Sequence, residues 1–194
     1  MKKIATTEVP INEVIAQRWS PRAFDSSYII TEDEIKSLFE AARWAPSCYG
    51  DQPWQFVLFN KGDATAWASA LNCLSVGNQN WAMDASILIV VCANKKFNHN
   101  NEPNRWAQYD TGAAAENICL QATSIGLSAH QMGGFDLDKV RSLSNIPTKF
   151  DILACMVVGK NLDESKLSKV QKDKEGQVRS RKLLEDIYFI NEWK

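Results

Sequence analysis

The chain has 194 residues, a formal net charge of -1 and hydrophobic side chains at 45% of its positions. This length and composition suffice for one buried core, so we expect a single domain. A nearly neutral chain has no long-range attraction for nucleic acid or an anionic membrane surface, and we expect neither as a partner.

The first predicted elements are a short helix and a capped helix that leads into a polar loop. Residues 11–18 place apolar side chains at helical spacing. Thr31 and Glu34 form a capping-box pattern at the start of a second helix, whose apolar stripe runs up to Pro46. The segment WQFVLFN at 54–60 is dense in apolar and aromatic residues, which predicts a buried strand.

Between residues 64 and 125 the pattern predicts two helices, a strand and a surface loop. Residues 64–74 favour a helix, and the apolar, β-branched run at 86–93 predicts a strand covered on both faces. The asparagine-rich stretch 95–105 contains a proline and predicts a loop or lid of low intrinsic order. Residues 106–125 lack proline and are apolar around most of the helix circumference, which predicts a central buried helix.

Two further strands, separated by a helix, are predicted next. Gly126 ends the buried helix, and LSAHQM at 127–132 predicts a short third strand. Two glycines then interrupt the chain before a helix that begins near Asp136, and the apolar run at 152–159 predicts the fourth strand. Strands that alternate with helices indicate an α/β fold in the form of an α+β sandwich, with helices packed on the sheet.

The carboxyl-terminal segment differs from the rest in composition. Residues 160–182 carry an excess of charge and few apolar side chains, so they cannot form a core of their own. The following LLEDIYFI segment is apolar but has nothing local to bury against. We therefore expect residues 160–194 to be an arm that wraps another surface.

The cysteines and histidines indicate the compartment and argue against a metal site. Five scattered cysteines without a CxxC pair cannot all be paired within one chain, which fits a reducing compartment. The amino terminus lacks the apolar core of a signal peptide, and no segment reaches the ~20 apolar residues of a membrane span, so we expect a cytoplasmic protein. His99 and His130 lie too far apart for a metal site of obvious spacing, and we expect no metal.

The loop between the second helix and the first strand has the features of a binding loop. The helix ends before a proline, and Ser47, Gly50, Asp51 and Gln52 put small and polar groups where a flat ligand can approach. Taken alone, the same residues also suit an ordinary helix-to-strand connection, because serine and glycine favour turn geometry.

Four motifs occur in order along the chain. They are RWSPRAF at 18–24, APSCYGDQPWQF at 45–56, GNQNWAMDAS at 77–86 with MGGFD at 132–136, and RSRKLLEDI at 179–187. Together they resemble the FMN-dependent nitroreductase family, with one departure, because Gly50 stands where the commoner pattern has asparagine. The resemblance implies one nitroreductase-like domain over 1–194, a central mixed sheet flanked by helices, and an intertwined homodimer in which residues 160–194 embrace the partner subunit.

The resemblance also implies an FMN site at the subunit interface. It assigns the phosphate and the adjoining ribityl oxygens to Arg18, Ser20, Arg179 and Arg181. Arginine forks suit a phosphate, although RSRK alone would also fit a solvated basic turn. The resemblance places Arg22 at the ring edge that becomes anionic on reduction and Asn78 at the pyrimidine edge, while Asn78 would equally fit a helix N-cap or a turn.

Near the reactive N5 atom the resemblance places backbone rather than side chains. Met132, Gly133 and Gly134 form this segment, and Gly133 stands where several relatives have glutamate, so no acid or base is expected there. A plain β-bulge would also explain the glycines. The remaining cofactor-binding residues implied are Trp19, Pro46, Ser47, Cys48 and Gln52, of which the last three come from the partner subunit.

Cysteine and aromatic side chains are further candidates for a role in the site. A catalytic Cys48 is not expected, because no histidine base lies nearby in sequence and free cysteines are usually inert packing groups. Aromatic residues at regular spacing are more often core than ligand contacts. Only Trp106 and Tyr109, which adjoin the predicted lid, are candidates for the substrate pocket.

The resemblance predicts an FMN-dependent oxidoreductase. Hydride would pass from NAD(P)H through flavin N5 to an electron-poor acceptor such as a nitroaromatic or a quinone, in a ping-pong scheme. We expect no catalytic side chain, because the redox chemistry belongs to the cofactor. The same fold also hosts flavin-dependent dehalogenases and dehydrogenases, and a flavin-binding relative without turnover is a third possibility. Without a GxGxxG motif, the choice between NADH and NADPH stays open.

Overall fold

The computed structural model describes residues 3–193 and is built around one four-stranded sheet. The strands are β1 (Trp54–Asn60), β2 (Ile87–Asn94), β3 (Ser128–Met132) and β4 (Phe150–Gly159), in the spatial order β1-β2-β4-β3. The helices are α1 (Glu13–Gln17), α2 (Glu32–Arg43), α3 (Ala64–Leu71), α4 (Val76–Ala82), α5 (Ala107–Ser124), α6 (Leu137–Leu143) and α7 (Lys169–Glu175). The predicted α+β class is confirmed.

The described sheet is antiparallel rather than mixed. All three strand pairings, β1 with β2, β2 with β4 and β3 with β4, run antiparallel. The chain leaves β1 at Asn60 and re-enters the sheet directly opposite that residue, at Ile87. Helices α3 and α4 therefore return the chain to the same end of the sheet, and neighbouring strands run in opposite directions. A crossover to the opposite end, which a parallel pair needs, does not occur here.

The two faces of the sheet carry separate cores. Along β2, which is buried over its whole length, Leu88 and Val90 join Trp67 and Trp81 in the core beside α3 and α4. The alternate positions Ile87, Ile89 and Val91 join the core beneath α2 and α5. This confirms the prediction of a strand covered on both faces. The strand predicted at 54–60 is present as β1, but it lies at the edge of the described sheet and is mostly half-buried rather than buried.

Helices α2 and α5 pack against each other and against the sheet. The predicted capping box is present, because Thr31 Oγ1 accepts from the Glu34 N–H at 3.2 Å and Glu34 Oε2 accepts from the Thr31 N–H at 2.8 Å. Asn117 Nδ2 on α5 donates to the Ala41 carbonyl at 2.9 Å, which ties the two helices together. Gly126 ends α5 with φ +78°, as predicted, because a left-handed backbone favours glycine.

Two helices were not predicted from the sequence. Helix α4 contains Gly77 and Asn78, which are weak helix formers, but Trp81 and Ala82 at its end are buried and stabilise it by packing. Helix α7 has a capping box at Ser168. Leu167 and Glu175 are buried, so residues 160–182 pack against their own chain more than their composition suggested.

The rest of the arm remains exposed in the single chain. Its large apolar side chains include Leu183, Ile187, Tyr188 and Ile190, and Ile190 retains 73% of its accessible surface.

All five cysteines are free, and four of them are buried. Within residues 3–193, no helix is long and apolar enough to cross a membrane.

Candidate functional site

A cleft lined by basic side chains lies between the two ends of the chain. Its volume is about 230 Å³, and we call it the arginine cleft. The basic side chains that line it are Lys3, Arg18, Arg22, Lys174, Arg179 and Arg181. Trp19 and Ser20 complete its amino-terminal side, with Lys3 Nζ 4.9 Å from the centroid of the Trp19 ring. The structure therefore brings six of the predicted cofactor-binding residues together.

The amino-terminal side of the cleft begins where α1 ends. Arg18 follows the helix with extended backbone, so the next residues run along the surface as an irregular segment. Arg18 Nε lies 3.5 Å from Glu116 Oε1 on α5, and its Nη1 lies 3.5 Å from Ser20 Oγ. Burial raises the pKa of Glu116, and Arg18 acts against that shift. The contact with Glu116 on α5 therefore fixes the direction of the Arg18 side chain, and Ser20 lies beside its guanidinium group.

The carboxyl-terminal side of the cleft is anchored by Arg179. This side chain donates to the Lys3 carbonyl at 2.6 Å and to the Ala16 carbonyl at 3.2 Å. Its pKa is lowered by burial and by the charges of Arg18 and Arg181. Guanidinium groups that lower each other's pKa by charge repulsion would be stabilised by an anion between them. Such a cleft suits a ligand with a doubly charged group, such as a phosphate.

A buried histidine holds the backbone of the amino-terminal motif. His130 Nδ1 donates to the Pro21 carbonyl at 2.8 Å, and the imidazole centroid lies 4.4 Å from that of Trp81. Burial lowers the pKa of His130 below its usual value of 6.5. The sequence offered no signal for this contact, since the two partners lie 109 positions apart.

We expect His130 to make folding stability sensitive to mild acid. The unfolded chain binds more protons than the folded chain between the two pKa values, so stability falls as the pH is lowered through 6.5. His130→Asn keeps a donor near the Nδ1 position but does not titrate. Its thermal midpoint should therefore fall less than that of wild type from about pH 7.5 to about pH 5.5. His99→Asn, at the exposed second histidine, is the matched control, and an unchanged pH response in His130→Asn would contradict the assignment.

The two glycines after β3 have different roles. Strand β3 ends at Met132, so both glycines lie beyond the regular pairing with β4, and the β-bulge alternative is wrong. The Met132 side chain is buried in the core. A Cβ on Gly134 would lie 2.8 Å from both Asn78 Nδ2 and Ser75 Oγ, whereas a Cβ on Gly133 would meet nothing within 4 Å. Gly134 is required by packing, while the space over Gly133 is open.

Asn78 is fixed by the backbone of this glycine segment. Its Nδ2 donates to the Gly134 carbonyl at 3.0 Å, and the Ser75 N–H donates to the same carbonyl at 2.9 Å. Ser75 is the N-cap of α4 and Asn78 lies inside the helix, so the N-cap alternative for Asn78 is wrong. The hydrogen bond between Asn78 and Gly134 therefore fixes the glycine segment against α4.

Replacing Gly134 by alanine should destabilise the fold. The new methyl group would force Asn78 or Ser75 to move, and overpacking of this kind costs roughly 1–3 kcal/mol. Gly133→Ala should change the free energy of unfolding by less than about 0.5 kcal/mol, because its methyl group has free space. Urea unfolding of both variants at one protein concentration measures the difference, and equal midpoints would refute it.

The loop that precedes β1 has an unusual backbone. Tyr49, Gly50 and Gln52 have φ values of 54°, 66° and 50°. Glycine adopts this left-handed region without strain and asparagine tolerates it better than most residues, so either residue is compatible with this backbone at position 50. Ser47 Oγ accepts from the Gln52 N–H at 3.1 Å, which closes the turn.

Two acidic residues stabilise this loop, Asp51 within it and Asp110 on α5, and only Asp51 had been singled out from the sequence. The buried Asp110 on α5 accepts from the Cys48 N–H through Oδ2 at 2.9 Å. Asp51 Oδ1 accepts from the Asn98 N–H at 2.8 Å, and this bond ties the loop to residues 95–105. Residues 95–105 form a surface loop, as predicted. Within this loop the Phe97 N–H donates to the Glu102 carbonyl at 2.9 Å. Both loops are therefore held by more hydrogen bonds than their composition indicated.

The predicted loop residues do not line the arginine cleft of their own chain. Pro46, Ser47, Cys48 and Gln52 are absent from its wall. A separate open cavity of about 420 Å³ lies beside the loop and is lined by Tyr49, Gly50, Asp51, Asn98 and His99. Trp106 and Tyr109 are exposed at the start of α5, and the next residue, Asp110, holds the loop.

Comparison with known proteins identifies the family. The model of the nitroreductase family matches residues 15–160, more than half of the chain. The chain belongs to the nitroreductase family. An oxygen-insensitive NADPH nitroreductase of Helicobacter acinonychis is 26% identical over 79% of this chain and 88% of its own. A crystal structure described as an oxidoreductase containing FMN is 33% identical, covers 97% of this chain and 96% of its own, and has a TM-score of 0.88.

A more distant member shows the nitroreductase fold alone. The FMN-dependent nitroreductase from Clostridium difficile R20291 is 20% identical, with a TM-score of 0.68 over 91% of this chain and 96% of its own. The family match ends at residue 160, whereas Arg179 and Arg181 lie beyond it. The carboxyl-terminal side of the arginine cleft therefore rests on the geometry of this chain rather than on the match to the nitroreductase family.

Proposed function

We propose that this nitroreductase-family protein is an FMN-dependent oxidoreductase that transfers a hydride from NAD(P)H to an electron-poor acceptor such as a nitroaromatic or a quinone. The observation that carries the proposal is the convergence of Arg18, Arg179 and Arg181 on one cleft beside Ser20. The names of the relatives support it, since one contains FMN and another uses NADPH.

The side chains of the arginine cleft fit the phosphate of FMN. Three guanidinium groups line one space, and burial together with the charges of Arg18 and Arg181 lowers the pKa of Arg179, so a dianion between the three would be favoured. Ser20 supplies a hydroxyl beside them for the ribityl end. When bound, the flavin supplies a ring atom that accepts and donates the hydride.

Other residues of the chain would orient the ring. Arg22 is exposed in the cleft wall and offers a cation to the ring edge that gains negative charge, which favours the reduced form. The space over Gly133 leaves room for close approach of a flat ring to the backbone. Asn78 keeps this segment in place through the Gly134 carbonyl.

The proposed active form is a homodimer. The loop containing Ser47, Cys48 and Gln52 does not line the arginine cleft of its own chain, which supports a contribution to the flavin site from the partner subunit's copy of this loop. The exposed apolar side chains of the arm, at residues 183–190, supply a surface that a second subunit can cover.

The test combines a spectrum with turnover. Purified protein should be yellow, release FMN on denaturation and be bleached by NADH or NADPH under anaerobic conditions. Reduced protein mixed with a panel of nitroaromatics, quinones and halogenated aromatics should recover its colour fastest with the acceptor class it serves. Protein that neither contains nor binds FMN would refute the proposal. FMN binding without bleaching by either nicotinamide would identify a flavin-binding protein without this activity.

A further inference from the structure

A buried carboxylate lies in the wall of the arginine cleft. Glu175, the last residue of α7, retains only 5% of its accessible surface. It is the one acidic side chain among the described residues that line the cleft, where six are basic. A glutamate is rarely buried to this extent unless it has a partner. Its position therefore calls for a specific contact.

The contact joins segments that are 153 positions apart. Glu175 Oε1 accepts from the Arg22 backbone N–H at 2.8 Å. The motif that contains Arg22 is thus held twice, by Glu175 at this N–H and by His130 at the preceding carbonyl. A charged acceptor makes the Glu175 bond stronger than one between neutral groups.

The chain turns directly after Glu175 and then supplies the other arginines. A Cβ on Gly176 would lie 2.7 Å from the Lys172 carbonyl oxygen, so glycine is needed for this turn. Arg179 and Arg181 follow within six residues of Glu175. Fixing Glu175 against Arg22 therefore also fixes the start of the segment that carries the carboxyl-terminal arginines.

We propose that Glu175 is a positioning residue that closes the phosphate end of the arginine cleft. Its carboxylate holds the Arg22 backbone, so the guanidinium groups from the two ends of the chain face the same anion. The carboxylate does not bind the phosphate, since both are negative. The identity of that anion as the phosphate of FMN rests on the proposed function.

Three substitutions at Glu175 separate the effect of its hydrogen bond from the effect of its charge. Glu175→Met keeps most of the side-chain volume and loses the acceptor. Glu175→Gln keeps an acceptor oxygen at the same reach and loses the charge, while Glu175→Asp keeps the charge but is too short to reach the Arg22 N–H. Asp173→Asn, at an exposed acid on the same helix, is the matched control for loss of one negative charge.

The measurement compares FMN with riboflavin, which has the same ring and no phosphate. Each flavin is titrated into the flavin-free full-length protein, and fluorescence quenching gives the two dissociation constants. Glu175→Met and Glu175→Asp should weaken FMN binding about tenfold and riboflavin binding by a clearly smaller factor, because the lost charge-assisted hydrogen bond displaces the phosphate contacts as well as Arg22 at the ring edge. Glu175→Gln should bind FMN at least as tightly as wild type, because it restores the bond and removes a like charge.

The outcomes distinguish the inference from the proposed function. An equal loss of FMN and riboflavin binding in Glu175→Met and Glu175→Asp would show a general structural role and overturn the positioning role. An unchanged FMN affinity in both, or a Glu175→Gln variant as weak as they are, would also overturn it. Wild-type protein that binds neither flavin would refute the proposed function itself, whatever the variants do.

Discussion

Replacing both Arg18 and Arg181 by alanine is expected to weaken FMN binding by about 10³-fold, since each lost charge-assisted contact with the phosphate costs ~1.5–3 kcal/mol. The two side chains come from opposite ends of the chain and line the same cleft. Arg181 is exposed and donates to the adjacent Ser180 carbonyl at 2.7 Å, so its removal should leave the fold intact. Isothermal titration of flavin-free protein measures the loss.

Riboflavin binding and a second double variant are the controls. Riboflavin should bind the Arg18/Arg181 variant about as well as wild type, because the ring contacts are elsewhere. Arg43→Ala with Arg105→Ala removes the same charge from exposed positions outside the cleft and should leave FMN binding unchanged. Wild-type FMN affinity in the Arg18/Arg181 variant would refute the phosphate assignment, and so would a parallel loss of riboflavin binding.

Replacing Leu183, Ile187 and Ile190 by aspartate is expected to convert a dimer into a monomer. All three side chains are large, apolar and exposed in the single chain. Burying each against a partner would contribute roughly 1.5–3 kcal/mol, and a charge at the same place would oppose burial. The dissociation constant of the dimer should therefore rise by more than about 10³-fold. Sedimentation velocity at micromolar concentration measures the change, and bound FMN should decrease with it.

The control for this variant places the same charges on other exposed apolar positions. Ile29, Leu137 and Leu143 are exposed and lie outside the arm, so their replacement by aspartate should leave the dimer intact. If the arm variant sediments like wild type, the arm does not form the subunit contact. If it becomes a monomer that still binds FMN normally, the partner subunit's loop is not part of the flavin site.

The sequence predicted elements best where local chemistry alone decides them. The continuous apolar run of β2, the capping box at Thr31 and the left-handed Gly126 each depend on neighbours within a few residues. Helix α4 was missed because Gly77 and Asn78 are weak helix formers, and the helix is stabilised by the packing of Trp81 and Ala82 in the core. The mixed sheet implied by the family resemblance is not seen among the described strands, whose three pairings are antiparallel, and a linear pattern does not state to which end of a strand a helical connection returns.

Less of the candidate site than of the fold could be predicted from the sequence. The two arginine motifs were linked only by family resemblance, because no spacing rule relates residue 18 to residue 181. Glu175, His130 and Asp110 were not selected at all. Each is a single polar residue whose partner lies 62 or more positions away, and nothing near it in the sequence marks the contact.

The arginine cleft has one wall from the first residues of the chain and one from nearly the last. A ribosome finishes the entire sheet, through β4 at Gly159, before Arg179 and Arg181 have even been added. A nascent or prematurely terminated product would thus contain both cores yet have only half of its anion-binding wall. Capture of the phosphate end of a ligand therefore requires the segment from Lys174 to Arg181 in addition to the sheet and both cores.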